Sequence, residues 1–92
     1  LVIEHVMDRI AWACGRDPLD VRLDNLYAAG RDLTPYGQSV EDPDTLRRLI
    51  ETLADSADYR ARREAIRSFN ATSAILKKGL ALTPVKFGIS FT

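Results

Sequence analysis

From Val85 onward the sequence alternates. Val85, Phe87, Ile89 and Phe91 are apolar, and Lys86, Gly88, Ser90 and Thr92 fall between them. A period of two is the pattern of a half-buried β-strand, because successive side chains leave opposite faces of the pleat. A strand cannot stand alone: its backbone donors and acceptors need partners, and even an isolated pair of strands is marginal in water. The stretch just before it is also strand-like but out of phase. Leu80 and Leu82 are apolar at even positions, whereas beyond Pro84 the apolar positions are odd. Proline has no N–H for a ladder, so the phase change at Pro84 predicts a bulge or bend between two strand segments. Lys77 to Thr92 is therefore expected as one bent strand whose partners the rest of the sequence does not obviously supply.

What precedes it is helical in pattern. Ile3, Val6, Met7 and Ile10 lie at i, i+3, i+4 and i+7, the apolar stripe of an amphipathic helix that Gly15 should end in a left-handed conformation. Asp17 is placed as the N-cap and Pro18 as the first residue of a second, short helix running to about Asn25, with Leu19, Val21, Leu23 and Leu26 as its apolar contacts. Gly30, Pro35 and Gly37 break up the next stretch, where a short strand over Tyr36 to Val40 is expected. Asp42-Pro43 repeats the cap signature and predicts a helix from Pro43 to about Ala57, with Leu46, Leu49, Ile50 and Leu53 on its apolar side. Asp58 is placed to cap a fourth helix that fades between Asn70 and Ser73. Ile66 and Phe69 give this helix an apolar side, and Arg60, Arg62, Arg63 and Arg67 make much of the rest basic. The expected fold class is α+β, about four helices followed by a bent strand. The first apolar stripe begins with no capping residue ahead of it, and the final alternation meets no turn residue. Together these predict an internal piece of a longer chain.

Charge and composition exclude several classes. Thirteen basic residues balance thirteen acidic ones, which weighs against a dedicated nucleic-acid binder. With 46% apolar and 28% charged residues, the chain has the composition of one globular unit and not of a disordered segment. A single cysteine permits no internal disulfide, and fits a reducing compartment. No apolar run approaches the roughly 20 residues a membrane-spanning helix needs.

No complete catalytic set emerges from residue chemistry. His5 is the only histidine, and its neighbours Glu4 and Asp8 are expected on a solvated helix face. Trp12 on that polar side hints at a contact outside these residues. Cys14 lies at a helix C-terminus, where the macrodipole disfavours a thiolate, so it is expected as a packed thiol. Glu64 among Arg60, Arg63 and Arg67 fits ion pairs on a solvated face. "CGRD" and "YGQS" lack the spacing of a phosphate-binding loop. Phe91 and Thr92 stand out more, as an aromatic beside a hydroxyl at a strand end.

"GLALTPVKFGISFT" closely resembles a segment of the large, molybdenum-binding subunit of the xanthine dehydrogenases, in the molybdenum hydroxylase family that also holds the aldehyde oxidases. "DYRARREAIRSFN" resembles the helix that leads into that segment, and "IEHVMDRIAWACGRDPLDVRLDNLY" a helical stretch further upstream. The order and spacing match over essentially all 92 residues. The resemblance implies that residues 1–92 are a fragment of the molybdopterin-binding domain of a cytoplasmic oxidoreductase. Such an enzyme oxidises hypoxanthine and xanthine to urate. It also implies a molybdenum cofactor (molybdopterin), with FAD and iron–sulfur clusters in partner domains or subunits, and neither nucleic acid nor membrane as a partner. Phe91 matches the phenylalanine that stacks on the purine, and Thr92 the threonine that hydrogen-bonds it. No catalytic, cofactor-binding or metal-binding residue of the family maps onto this stretch, so the fragment alone is expected to be inactive. Two alternatives are an aldehyde oxidase of the same family and a stand-alone helical interaction module that uses the arginine-rich helix as its contact face.

Overall fold

Four helices form where the local signals place them, and the differences lie at their ends and in which faces they bury. A computed structural model describes residues 1–87. Helix α1 spans Val2–Cys14, and Gly15 ends it at φ 65°, the left-handed conformation glycine adopts without steric cost. Helix α2 spans Pro18–Asp24. Asp17 is its N-cap, and its carboxylate accepts the Leu19 N–H at 2.8 Å.

Helix α3 spans Thr45–Ser56, two residues later than the expected start at Pro43. The expected cap residue, Asp42, instead closes a turn. It sits at φ 46°, its backbone carbonyl accepts the Thr45 N–H, and its carboxylate accepts the Thr45 hydroxyl. Asp44 takes the N-cap position without a side-chain bond. Helix α4 spans Tyr59–Thr72. Asp58 is at its N-cap as expected, but in a left-handed conformation with no side-chain cap bond.

The expected strands do not form among the described residues. Tyr36 to Val40 lies in a tight loop in which Leu33 and Ser39 make one isolated bridge. Thr34 organises that loop through both its backbone and its hydroxyl, which accepts the Gln38 N–H at 3.0 Å. Residues 73–87 carry no helix and no ladder. The physical reason is the one that made the strand demanding from the outset: no second strand is present in residues 1–87 to complete it. The last five residues of the expected strand lie outside the described residues. The period-two signal nevertheless survives as burial. Leu80, Leu82 and Pro84 are half-buried while Gly79, Ala81 and Thr83 are exposed, and beyond Pro84 both Val85 and Phe87 are exposed, at 83% and 73%.

The core is small. Leu19, Ile50 and Tyr59 are its buried members, flanked by Leu23, Leu26, Leu46, Ala54, Leu80 and Leu82. The molecule is elongated, 50 × 26 × 25 Å, with a radius of gyration of 15.9 Å, against about 12 Å for a compact domain of this length. Leu49 and Leu53, expected on the apolar side of α3, are largely exposed.

The burial of α1 corrects two expectations. Three residues of its apolar stripe, Ile3, Val6 and Ile10, are exposed, and Met7 is half-buried. The side facing α2 carries Glu4, Asp8 and the fully buried Ala11. Glu4 and Asp8 are thus not a solvated face; they hold Arg22, which reaches across from α2 and is only 3% exposed. Cys14, expected to be packed, is exposed.

Candidate functional site

Residues 77–87 lead toward Phe91 and Thr92, so what holds this strap is the site these residues can show. The anchoring begins at Asp17. Having capped α2, its carboxylate also accepts the Tyr59 hydroxyl at 2.8 Å and the Arg63 Nε–H at 3.1 Å. Burial pushes the Asp17 carboxyl up, but the Leu19 N–H, the Tyr59 hydroxyl and Arg63 outweigh it and hold it below the usual carboxylate range. The same contact works the other way on Tyr59. Burial and the adjacent Asp17 charge push its phenol up to about 12, so it remains a neutral donor at physiological pH. Arg60 adds an ion pair to Asp20 at 2.6 Å. The start of α4 is thereby fixed against the start of α2.

From α4 the strap is caught at two backbone points. Arg63, already bound to Asp17, donates from Nη1 to the Leu80 carbonyl at 3.1 Å. Asn70 makes a reciprocal pair with Lys78: its Nδ2 donates to the Lys78 carbonyl at 2.9 Å, and its Oδ1 accepts the Lys78 N–H at 2.8 Å. The Lys77 ammonium donates to the carbonyls of Asn70 and Ser73, closing the C-terminal end of α4. The Lys78 ammonium lies 4.1 Å from the centroid of the Phe69 ring. Further along, Lys86 donates to the Tyr27 hydroxyl at 3.1 Å, a bond that raises its pKa.

The arginine-rich face of α4 is therefore not a free basic surface. Arg60 and Arg63 bind α2 and the strap, Arg67 pairs with Glu64 at 2.6 Å as the spacing predicts, and Arg62 donates to the Ala57 carbonyl. On the other side of α2, Arg22 binds Glu4 at 2.5 Å and Asp8 at 2.9 Å. Burial lowers the Arg22 pKa, but the two carboxylates outweigh it and leave the guanidinium fully charged. The sequence carried a signal for this pair that its helical periodicity hid: two acids one turn apart on α1, and one arginine among the apolar residues of α2.

A surface cavity of about 380 Å³ lies along the seam, with Trp12, Arg22, Tyr59, Arg63 and the strap from Gly79 to Leu82 in its lining. Its charged groups are committed to one another, and it brings together no nucleophile and base. Among the described residues no group of three or more histidine, cysteine, aspartate or glutamate side chains could hold a metal ion. The donor set of these residues thus does not fit a metal centre; its chemistry is to grip the strap. Phe91 and Thr92, the expected substrate-binding pair, lie outside the described residues. Among the described residues, no helix is long and apolar enough to cross a membrane.

Comparison with known proteins connects these residues to one group of enzymes. The chain is 41% identical over 92 residues to a xanthine dehydrogenase/oxidase of Gallus gallus, a match that covers all of this chain and 7% of that protein. It is 37% identical over 90 residues to a nicotinate hydroxylase of Emericella nidulans, covering 98% of this chain and 7% of the relative. It is 36% identical over 89 residues to an aldehyde oxidase of Homo sapiens, covering 97% of this chain and 6% of the relative. The chain thus spans about one-fourteenth of the length of the curated relatives it matches. No family model matches, and no solved structure matches. From one end to the other, then, the sequence is similar to one segment of the xanthine dehydrogenases and aldehyde oxidases.

Proposed function

We propose that this chain is part of the molybdopterin-binding domain in the large subunit of a molybdenum hydroxylase, an oxidoreductase that converts hypoxanthine and xanthine to urate. In this reading Phe91 and Thr92 form one wall of the purine pocket. The observation that carries it is the end-to-end similarity to the Gallus gallus xanthine dehydrogenase/oxidase, an alignment that runs through both residues. A flat heteroaromatic substrate is oriented by a rigid aromatic face, whose ring contact contributes ~1 kcal/mol beyond area burial. A hydroxyl beside it can fix rotation in the plane of the ring. The main service of such a wall is orientation, holding the reacting carbon where the chemistry happens.

In this reading the molybdenum cofactor supplies the redox chemistry, FAD and iron–sulfur clusters in other domains or subunits carry the electrons away, and the base lies elsewhere in the longer protein. The exposed apolar stripe of α1 and the exposed Val85 and Phe87 suit a segment packed within a larger subunit. The 92 residues on their own are expected to be inactive.

A second reading, an aldehyde as substrate in place of a purine, is favoured by the similarity to the human aldehyde oxidase. One experiment separates the two: Phe91→Ala in the longer, cofactor-loaded protein, assayed with xanthine and with an aliphatic aldehyde. A fall in kcat/KM for xanthine of at least tenfold, ~1.4 kcal/mol of transition-state stabilisation, supports the purine wall. An unchanged kcat/KM for xanthine removes Phe91 from the pocket.

A further inference from the structure

We propose that the strap is a sheet edge, and that a β-strand from elsewhere in the same longer polypeptide pairs with it through the backbones of Gly79, Ala81 and Thr83. The inference rests on the reading of this chain as part of a longer protein, and not on which substrate that protein takes.

In an extended chain the side chains alternate between two faces and the backbone groups alternate between two edges. The N–H and carbonyl of one residue point to one side, and those of the next residue to the other. The contacts that hold the strap obey this alternation. Asn70 takes both the N–H and the carbonyl of Lys78, and Arg63 takes the carbonyl of Leu80, two residues on. Both are even positions, so α4 occupies the even edge. Burial keeps the same period: Leu80 and Leu82 pack against the core, while Gly79, Ala81 and Thr83 are exposed. The backbone groups of Gly79, Ala81 and Thr83 therefore point to the edge away from α4. Among the described residues none of them has a hydrogen-bond partner. A row of donors and acceptors on one edge is what a second strand completes.

The sequence keeps this edge fit for pairing. Pro84 lacks an N–H, but as an even residue it interrupts the side that α4 already occupies. From Gly79 to Pro84 there is no charged side chain, whereas strand edges that face water are commonly blunted by lysine, other charges or proline. There is also room beside the strap. Nothing stands within 4 Å of where a Cβ on Gly79 would lie, and the cavity of about 380 Å³ is lined by Gly79 to Leu82. Chain length argues for the occupant. These residues cover 7% of the Gallus gallus relative, so most of such a polypeptide lies outside them. A strand tethered in the same chain meets the edge at a higher effective concentration than a separate molecule does.

The test is residue-resolved hydrogen exchange on the longer, cofactor-loaded protein. The amides of Gly79, Ala81 and Thr83 are expected to exchange about a hundredfold or more below the rate of the same sequence unstructured. Exchange of all three at the unstructured rate would mean that no strand pairs with them, and the proposal falls. Ala81→Pro deletes the central donor and should speed exchange at Gly79 and Thr83 by about tenfold. If both stay protected in that variant, they do not belong to one ladder, which also overturns the proposal. The occupant is read by photo-crosslinking with Ala81→p-benzoylphenylalanine, which puts a reactive group on the exposed face of the strap. The expected link joins position 81 to a segment of the same polypeptide outside residues 1–92. A link to a second copy or to a different polypeptide overturns the assignment, as does the lack of any link outside residues 1–92. If Ala81→Pro does not fold, exchange in the native sequence and the crosslink decide. None of these readouts uses turnover, so the purine reading fails separately, when Phe91→Ala leaves kcat/KM for xanthine unchanged.

Discussion

The two sides of α1 reverse the usual relation between polarity and burial. The side that packs on α2 presents Glu4, Asp8 and Ala11, while the side bearing Ile3, Val6 and Ile10 is exposed. Amphipathic patterning establishes that a helix has two faces; it does not say which neighbour each face meets. Here the nearest neighbour, α2, offers Arg22, and a guanidinium with five donors selects the acidic side. The charged side is therefore ordered by partners eighteen and fourteen residues away in sequence, and the apolar side by nothing among the described residues.

The comparison breaks first at Arg22. Arg22→Met keeps the buried stem but leaves Glu4 and Asp8 facing protein with no counter-charge. Removing one member of a buried ion pair costs 3–5 kcal/mol in general. With the two carboxylates 28% and 36% exposed, about 2–3 kcal/mol is the expected loss here. Hydrogen exchange along α1 and α2 should report it as lost protection. Adding Glu4→Gln and Asp8→Asn to Arg22→Met should recover most of the loss. Failure to recover it would show that the stem's packing, and not the charges, joins the two helices.

A smaller effect is expected at the other polar joint. Asp17→Asn preserves an acceptor for the Leu19 N–H but loses the charge that Arg63 and Tyr59 address, at a cost of about 1–2 kcal/mol at neutral pH. The pH dependence has a definite sign. The folded-state pKa of Asp17 is depressed, so its contribution is fully present above the unfolded carboxylate pKa of ~3.9 and is lost as pH falls through the lower folded value. The stability difference between the native sequence and Asp17→Asn should therefore be constant from neutrality down to about pH 5, then shrink below pH 4. A difference that grows on acidification would mean that another group carries the linkage.

The features legible in the sequence are those decided within a few residues. Gly15 ends α1 and Asp17-Pro18 opens α2 because caps and left-handed stops depend on local donors and backbone freedom. The start of α3 was misplaced because Asp42 has a competing local use, binding Thr45 and Arg48 in a turn. The facing of α1 and the true partners of Arg60 and Arg63 depend on residues far away in the chain, which periodicity does not report. At the strap the period-two pattern agrees with the half-burial of Leu80 and Leu82, and is silent on the pairing that would make a strand. Residue chemistry marks Phe91 and Thr92 only as an aromatic beside a hydroxyl; their expected role in a pocket comes from the family resemblance.

The smallest expected effect tests the exposed side of α1. Ile10→Ser removes a large apolar side chain from a surface position, and substitutions at such positions stay within about 0.5 kcal/mol. Isoleucine and serine have nearly the same helix propensity, so that difference adds little. In the 92-residue chain, hydrogen exchange along α1 should therefore barely change, in contrast to the loss at Arg22. In the longer protein proposed above, the same substitution asks a further question, whether the stripe meets another part of that protein. A loss there of about 2 kcal/mol or more, the scale of truncating a buried isoleucine, would show that the stripe is covered. The two faces of α1 would then differ in where their partner lies, since α2 already supplies one of them, and no longer in whether they have one.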